Sequence, residues 1–266
     1  MQTIIDQMGR KVTVPSPPTR IISLVPSQTE LLFDLGLEKS IVGITQFCTE
    51  PTDRTKNKPK VGGTKYIKPE HIADLKPDLI IGNKEENDRD SILRLEKHYP
   101  VWMSDIYTTK DTSNMISALA HLTNTQRIAK PILFRIAELT EQIQELPHPL
   151  QPAAYLIWKN PWMAAGGKTF IHHMLDLAGF KNVWGETHRY PEFTLKQLAA
   201  INPAWVLLSS EPYHFRGSDQ QAIQQILPEA KVLAVDGTLY SWYGSRIVKG
   251  LEEALRMRHF LLGKTS

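Results

Sequence analysis

The chain has 266 residues, of which 41% belong to the hydrophobic set and 22% are charged, a balance that supports a folded core and excludes the disordered and fibrous classes. Its 31 Lys and Arg against 28 Asp and Glu leave a net charge of +3 without a dense basic stripe, so neither a nucleic acid nor a membrane surface is expected as partner. The single cysteine, Cys48, excludes an internal disulfide, and no apolar window reaches the length of a membrane span.

Residues 1–20 lack a charged segment followed by an apolar one, so an export signal is expected to have been removed, with a cytosolic chain as the alternative. Residues 20–25 form an apolar run of the length of a buried strand, ended by Pro26. Ser27-Gln28-Thr29-Glu30 reads as a capping box, followed by Leu31, Leu32 and Leu35 at helical spacing and Gly36 in the stop position. A strand is expected at 40–44, then a polar loop through Phe47, Cys48 and Pro51, a helix over 69–75 and a strand over 78–81. Ile132, Leu133, Ile136, Leu139, Ile143 and Leu146 follow a helical period, and Pro131 fits the first turn of that helix. Over 131–146 such a helix is about 24 Å long, and Pro147, Pro149 and Pro152 predict a stiff exit from it. In the second half a strand over 155–158 precedes a helix over 169–177.

Three segments of the first half return in the same order in the second. FDLGLEKSIVG is echoed by LDLAGFKNVWG, 69–85 by 195–211, and 100–105 by 231–236. Strands alternating with helices, repeated once, predict an α/β fold of two similar lobes with parallel sheets. The boundaries fall at 1–124 for the first lobe, 125–148 for one long linking helix and 149–266 for the second lobe.

Ligands of open parallel sheets lie outside the carboxyl ends of the strands. In the first lobe that position selects Ser27, Phe47, Thr64 and Tyr66, in the same loops as Cys48 and the Gly62-Gly63 pair. In the second it selects Trp158, Trp162, Tyr213, His214 and Phe215, then Tyr240, Trp242, Tyr243 and Arg246. Five of the six tryptophans follow residue 150; Trp184 and Trp205 are expected in the core, the others in loops where their faces suit a large, ring-shaped ligand. Arg246 is placed to stack on a ring or meet an anionic group.

Catalytic and cofactor motifs are missing from the sequence. Gly166-Gly167-Lys168-Thr169 resembles the end of a phosphate-binding loop, but Trp162 stands where its first glycine belongs. There is no GxSxG, no HExxH and no pair of Cys-x-x-Cys motifs, and His172 and His173, adjacent on a helix, point in different directions. Only Cys48, His214 and Asp236 remain as candidates for an enzyme. A bare ion needs clustered His and carboxylates, so no resident metal or cofactor is expected.

RIISLVPSQTELLFDLGLEKSIVGIT, the VGG at 61–63, PEHIADLKPDLII, WKNPWMAAGGKTFIHHMLDLAGFKNVW and VDGTLYSWYGSR resemble the substrate-binding proteins of ABC importers for cobalamin and ferric siderophores. The resemblance covers about residues 8 to 255. It implies a class III periplasmic-binding-protein-like fold, with two α/β lobes on one backbone helix and ligand held in the cleft. It also implies a monomer outside the cytoplasm, periplasmic or membrane-tethered, that docks on an ABC permease through one carboxylate per lobe. Glu70 holds that position in the first lobe; the second has Lys196 there, with Glu192 one turn earlier as a substitute. The expected ligand is cobalamin or a similar corrinoid or metal complex. The alternatives are a ferric siderophore or haem, or a cytosolic carrier or sensor reusing the fold.

Overall fold

In the computed structural model, which describes residues 1–263, parallel strands organise each of two units. The first comprises Met1–Ile136 together with Tyr243–Arg246, the second Ala137–Trp242 together with the chain from Ile247 onward.

The first unit begins with the antiparallel hairpin β1 (Gln2–Ile5) and β2 (Lys11–Val14). It continues through β3 (Ile21–Ser23), α1 (Pro26–Asp34), β4 (Ile41–Ile44), α2 (Thr52–Thr55), α3 (Pro69–Leu75) and β5 (Leu79–Asn83). After these come α4 (Arg89–Glu96), β6 (Val101–Ser104), α5 (Thr109–Thr123) and α6 (Gln126–Glu145), whose later turns count with the second unit. Strands β4-β3-β5-β6 form one parallel sheet. Leu79, Ile80 and Ile81 on β5 are completely buried, as expected of strands covered on both faces.

The second unit contains β7 (Gln151–Trp158), β8 (Trp162–Ala164), α7 (Phe170–Leu177), β9 (Phe180–Asn182), β10 (Glu192–Phe193), α8 (Leu195–Ile201) and β11 (Trp205–Ser209). It closes with α9 (Gly217–Ile226), β12 (Lys231–Val235), α10 (Thr238–Ser241) and α11 (Ile247–Leu261). Its parallel strands run β9-β7-β11-β12, the order of β4-β3-β5-β6, and the antiparallel β8 and β10 extend the sheet beyond β7. The repeat read from the sequence is therefore a repeat of topology. Helices α3 and α8 each span seven residues and end on a left-handed residue, Lys76 at φ 43° and Asn202 at φ 51°. A proline follows each, and then a five-residue buried strand.

Several local expectations change. Helix α1 starts at Pro26, one residue before the expected capping box, with extended Val25 as its cap and no side-chain cap bond. Proline's fixed φ and missing N–H suit the first helical position, and Glu30 is drawn instead into a pair with Arg246. The other end is as expected: Gly36, at φ 78°, donates its N–H to Phe33 O and Leu37 donates to Leu32 O, a Schellman close. Helix α6 begins at Gln126, so Pro131 lies in its second turn, where it removes one intrahelical bond. Left-handed Asn124 ends α5, and Thr125 O accepts the first N–H bonds of α6, which places the start earlier than the apolar period indicates. Pro152 is part of β7 rather than of a stiff linker. No periodicity argument assigns α5, whose capping box joins Thr108 and Asp111.

Candidate functional site

The carboxyl end of β7 turns back into β8 through Lys159-Asn160-Pro161, with Asn160 in the left-handed region at φ 64°. Trp158 is thus the last residue of one strand, where the strand expected over 155–158 also ends, and Trp162 is the first of the next, where a loop was expected. Beside them, at the carboxyl end of the neighbouring parallel strand β11, runs the loop 210–216, which carries Tyr213, His214 and Phe215. The rings form a continuous ladder. Trp158 and Tyr213 meet edge to face at 5.6 Å, Tyr213 and Phe215 at 4.9 Å, and Phe215 stacks nearly parallel on Trp162 at 6.1 Å. The series continues inward from Trp162 to Phe193 at 6.3 Å and from Phe193 to Trp184 at 4.7 Å. Trp158 is 39% exposed, the middle rings are half-buried, and Phe193 and Trp184 belong to the core with Leu198, Val206 and Leu208. Each such pair adds about 0.5–1.5 kcal/mol beyond area burial, so the outer rings are held at fixed angles while part of their surface faces solvent.

Charged groups brace this ladder. The Lys159 ammonium sits 5.3 Å from the Trp162 ring centroid and pairs with Asp219 in the first turn of α9. Burial opposes the charged form of Asp219, but the Arg216 N–H and Lys159 outweigh it and hold its pKa below the usual carboxylate range. At the other end of the loop, Glu211 accepts hydrogen bonds from Ser241 Oγ and Trp242 Nε1 at 2.7 and 2.8 Å. Trp242 is anchored there through its indole N–H. Tyr240, expected as a ligand contact, is buried against Tyr155 at 5.3 Å, because Thr238–Ser241 fold into the short helix α10 after Gly237.

Tyr243 and Arg246 pack within the first unit. Tyr243 is buried and donates its Oη proton to Glu86 at 2.7 Å, and burial pushes its phenol well above the ordinary range. Ser27, also buried, lies against that phenol. Arg246 forms a two-point pair with Glu30 at 2.6 and 2.7 Å, so the fork expected to meet a ligand already holds a carboxylate. The exposed candidates in this unit are Phe47 and Tyr66. A Cβ on Gly63 would stand 3.0 Å from the Phe47 ring, and one on Gly62, at φ 109°, would collide with Tyr66 O; this explains the glycine pair. Asn87 Nδ2 holds Thr64 O at 3.0 Å, fixing the loop beneath Tyr66.

Gly166 and Gly167 admit the backbone of 185–189, against which any side chain would collide; the pair serves close packing, not phosphate. Cys48 is completely buried between Thr29 and Thr45, and burial pushes its thiol upward, away from nucleophilic reactivity. Among the described residues no group of three or more His, Cys, Asp or Glu is arranged to hold a metal ion, and no helix is long and apolar enough to cross a membrane. Glu70 is exposed in the first turn of α3, Lys196 in the first turn of α8, and Glu192 on β10. The composition argument missed Lys159, Phe193, Glu211 and Asp219; the Lys159-Asn160-Pro161 turn was the available signal for the first of these.

A sequence profile of the periplasmic binding protein family matches residues 21–233. An uncharacterized ABC transporter substrate-binding lipoprotein, YvrC of Bacillus subtilis, is 23% identical over 94% of this chain and 83% of its own. The periplasmic vitamin B12 binding protein BtuF of Vibrio cholerae superposes with a TM-score of 0.81 at 21% identity, covering 93% of this chain and 99% of that one. The periplasmic heme binding protein HutB of Vibrio cholerae gives 0.73 at 21%, covering 91% and 98%.

Proposed function

From the premise that this chain belongs to the periplasmic binding protein family, and is a binding protein rather than an enzyme, we propose that it receives a bulky metal complex for an ABC importer. It is the substrate-binding component of such a transporter, and its cargo is a corrinoid of the cobalamin type, held on the Trp158–Tyr213–Phe215–Trp162 ladder. That ladder is the observation that carries the reading. It offers rigid apolar faces at a sheet edge, and a bare ion would require the clustered ligands that the described residues do not present. The vitamin B12 binding protein of similar fold supports the corrinoid, and the heme binding protein supports haem as the second reading. Glu70 and Glu192, both exposed, are the carboxylates offered to the permease outside the cytoplasm, with Lys196 altering the charge beside the second.

Tryptophan-quenching titrations with cobalamin, haem, a ferric siderophore and molybdate, corrected for ligand absorbance, test this. The expected result is saturable quenching by the corrinoid at micromolar concentration or below, weakened about tenfold or more in Trp158→Ala and Trp162→Ala. Unchanged affinity in both variants, or saturation by molybdate alone, would overturn the aromatic site.

A further inference from the structure

We infer that the outer edge of β12 pairs, antiparallel, with the same edge of a second copy of this chain, so that the second unit's sheet continues from one molecule into the next. The inference holds whatever the cargo is.

Strands β6 and β12 are equivalent outer strands of the repeated order, with 101–105 corresponding to 232–236. In a parallel pair alternate residues bond the neighbouring strand, and the others turn their N–H and C=O outward. On β6 the outward residues are Val101, Met103 and Asp105, because Ile80 N donates to Pro100 O and Lys84 N to Ser104 O. The chain's own N-terminal segment covers them. Gln7 N donates to Met103 O at 3.1 Å, Met103 N to Asp6 Oδ2 at 3.2 Å and Asp105 N to Gln7 Oε1 at 3.1 Å, and all of β6 is buried. On β12, Lys231 N donates to Ala204 O and Val235 O accepts from Ser210 N, so Val232 and Ala234 face outward. Gln220 Nε2 takes Val232 O at 3.3 Å. Among the described residues nothing beyond β11 bonds the backbone of Ala234, which is exposed, and Leu233 beside it is 38% exposed.

Strand edges open to solvent are ordinarily protected by charges, prolines or bulges. Val232–Val235 have neither charge nor proline, and the one charged residue of the adjacent helix α9, Asp219, is buried against Lys159. The strand has its cation at its start, Lys231 over the Trp205 ring, and its anion just past its end, Asp236, which also accepts from Thr238 N and Oγ1. Antiparallel pairing about a twofold axis sets Ala234 opposite Ala234 and Val232 opposite Asp236. Lys231 of each copy then lies beside Asp236 of the other, whereas parallel pairing would set like charges together. This charge complementarity selects a second copy as the occupant.

Sedimentation equilibrium of the full chain without cargo tests the pairing. The average mass should rise with concentration from one chain toward two, with a dissociation constant on the order of 10–100 µM, because a strand edge is a small contact. Ala234→Pro removes an N–H that faces outward and leaves the bonds to β11 in place, so it should weaken association about tenfold or more. Leu233→Lys, which keeps every backbone group, should do the same. Both variants should unfold at the wild-type temperature in dilute solution, and amide exchange over 231–236 should slow with concentration in the wild type alone. A single-chain mass at every concentration would overturn the inference, as would a dimer that neither substitution weakens. Slowed exchange at this edge only on adding a different protein would give the edge to that protein and overturn the second copy.

Discussion

Trp162 is engaged on several sides, by Phe215 stacked on it, by Phe193 beneath and by the Lys159 ammonium, and this is why an indole that begins a three-residue strand is held in place. The Lys159–Asp219 pair shows how such a residue depends on charge. Asp219 is buried, and its N–H and ammonium partners hold its folded pKa below the unfolded value. Its contribution to stability is therefore complete above the ordinary carboxylate range and is lost as pH falls through the folded value. Asp219→Asn should cost about 1–3 kcal/mol at pH 7, and urea midpoints of variant and wild type should converge as the medium is acidified below the carboxylate range. Arg246 and Glu30 form the corresponding two-point pair in the first unit, which leaves Arg246's main partner within the protein itself.

Among the elements, α6 carries the clearest conflict between local preference and fold. Its Pro131 is exposed in the second turn, where the ring crowds the carbonyl of Arg127 and no N–H is available to it. The far end is better satisfied: buried Arg258 on α11 donates to Ile143 O at 2.6 Å, covering one of the final carbonyls. Restoring the missing bond with Pro131→Ala should stabilise the protein by about 1–2 kcal/mol, since the helical penalty is partly offset by the greater freedom of the unfolded alanine chain. Chemical denaturation compares the two directly; a lower midpoint for the variant would show that the proline is accommodated without cost. The paired α3–β5 and α8–β11 segments make the opposite point. In both, a left-handed helix end and a following proline direct the chain into a central strand, so the same local sequence logic gives the same structure twice.

At the scale of the whole molecule, a receptor that binds cargo only when folded gains stability by mass action. Cargo at about 100 times its dissociation constant should stabilise the protein by about 2.7 kcal/mol. A thermal-unfolding screen of corrinoids, porphyrins and ferric siderophores should therefore raise the midpoint for the cognate class alone, and no shift with any corrinoid or porphyrin would contradict the proposed cargo. The alternation of apolar runs with helical periods, the Gly36 stop and the doubled order of segments determined by themselves the α/β class and the parallel strands at the centre of each sheet, because each is a local signal set by backbone geometry and burial; the antiparallel β8 and β10 were not legible in that pattern. The concentration of aromatic residues after residue 150 likewise marked Trp158, Trp162, Tyr213 and His214 as candidates. Which of the candidates remain open to solvent was decided only in three dimensions. Tyr240 and Tyr243 look like Tyr213 in the sequence, yet one packs on Tyr155 and the other hydrogen-bonds Glu86, while Tyr213 joins the ladder. Burial of a ring depends on which distant residue arrives beside it, Phe193 for Trp162 and Glu211 for Trp242, and such meetings follow from strand order and loop closure, which no local pattern carries.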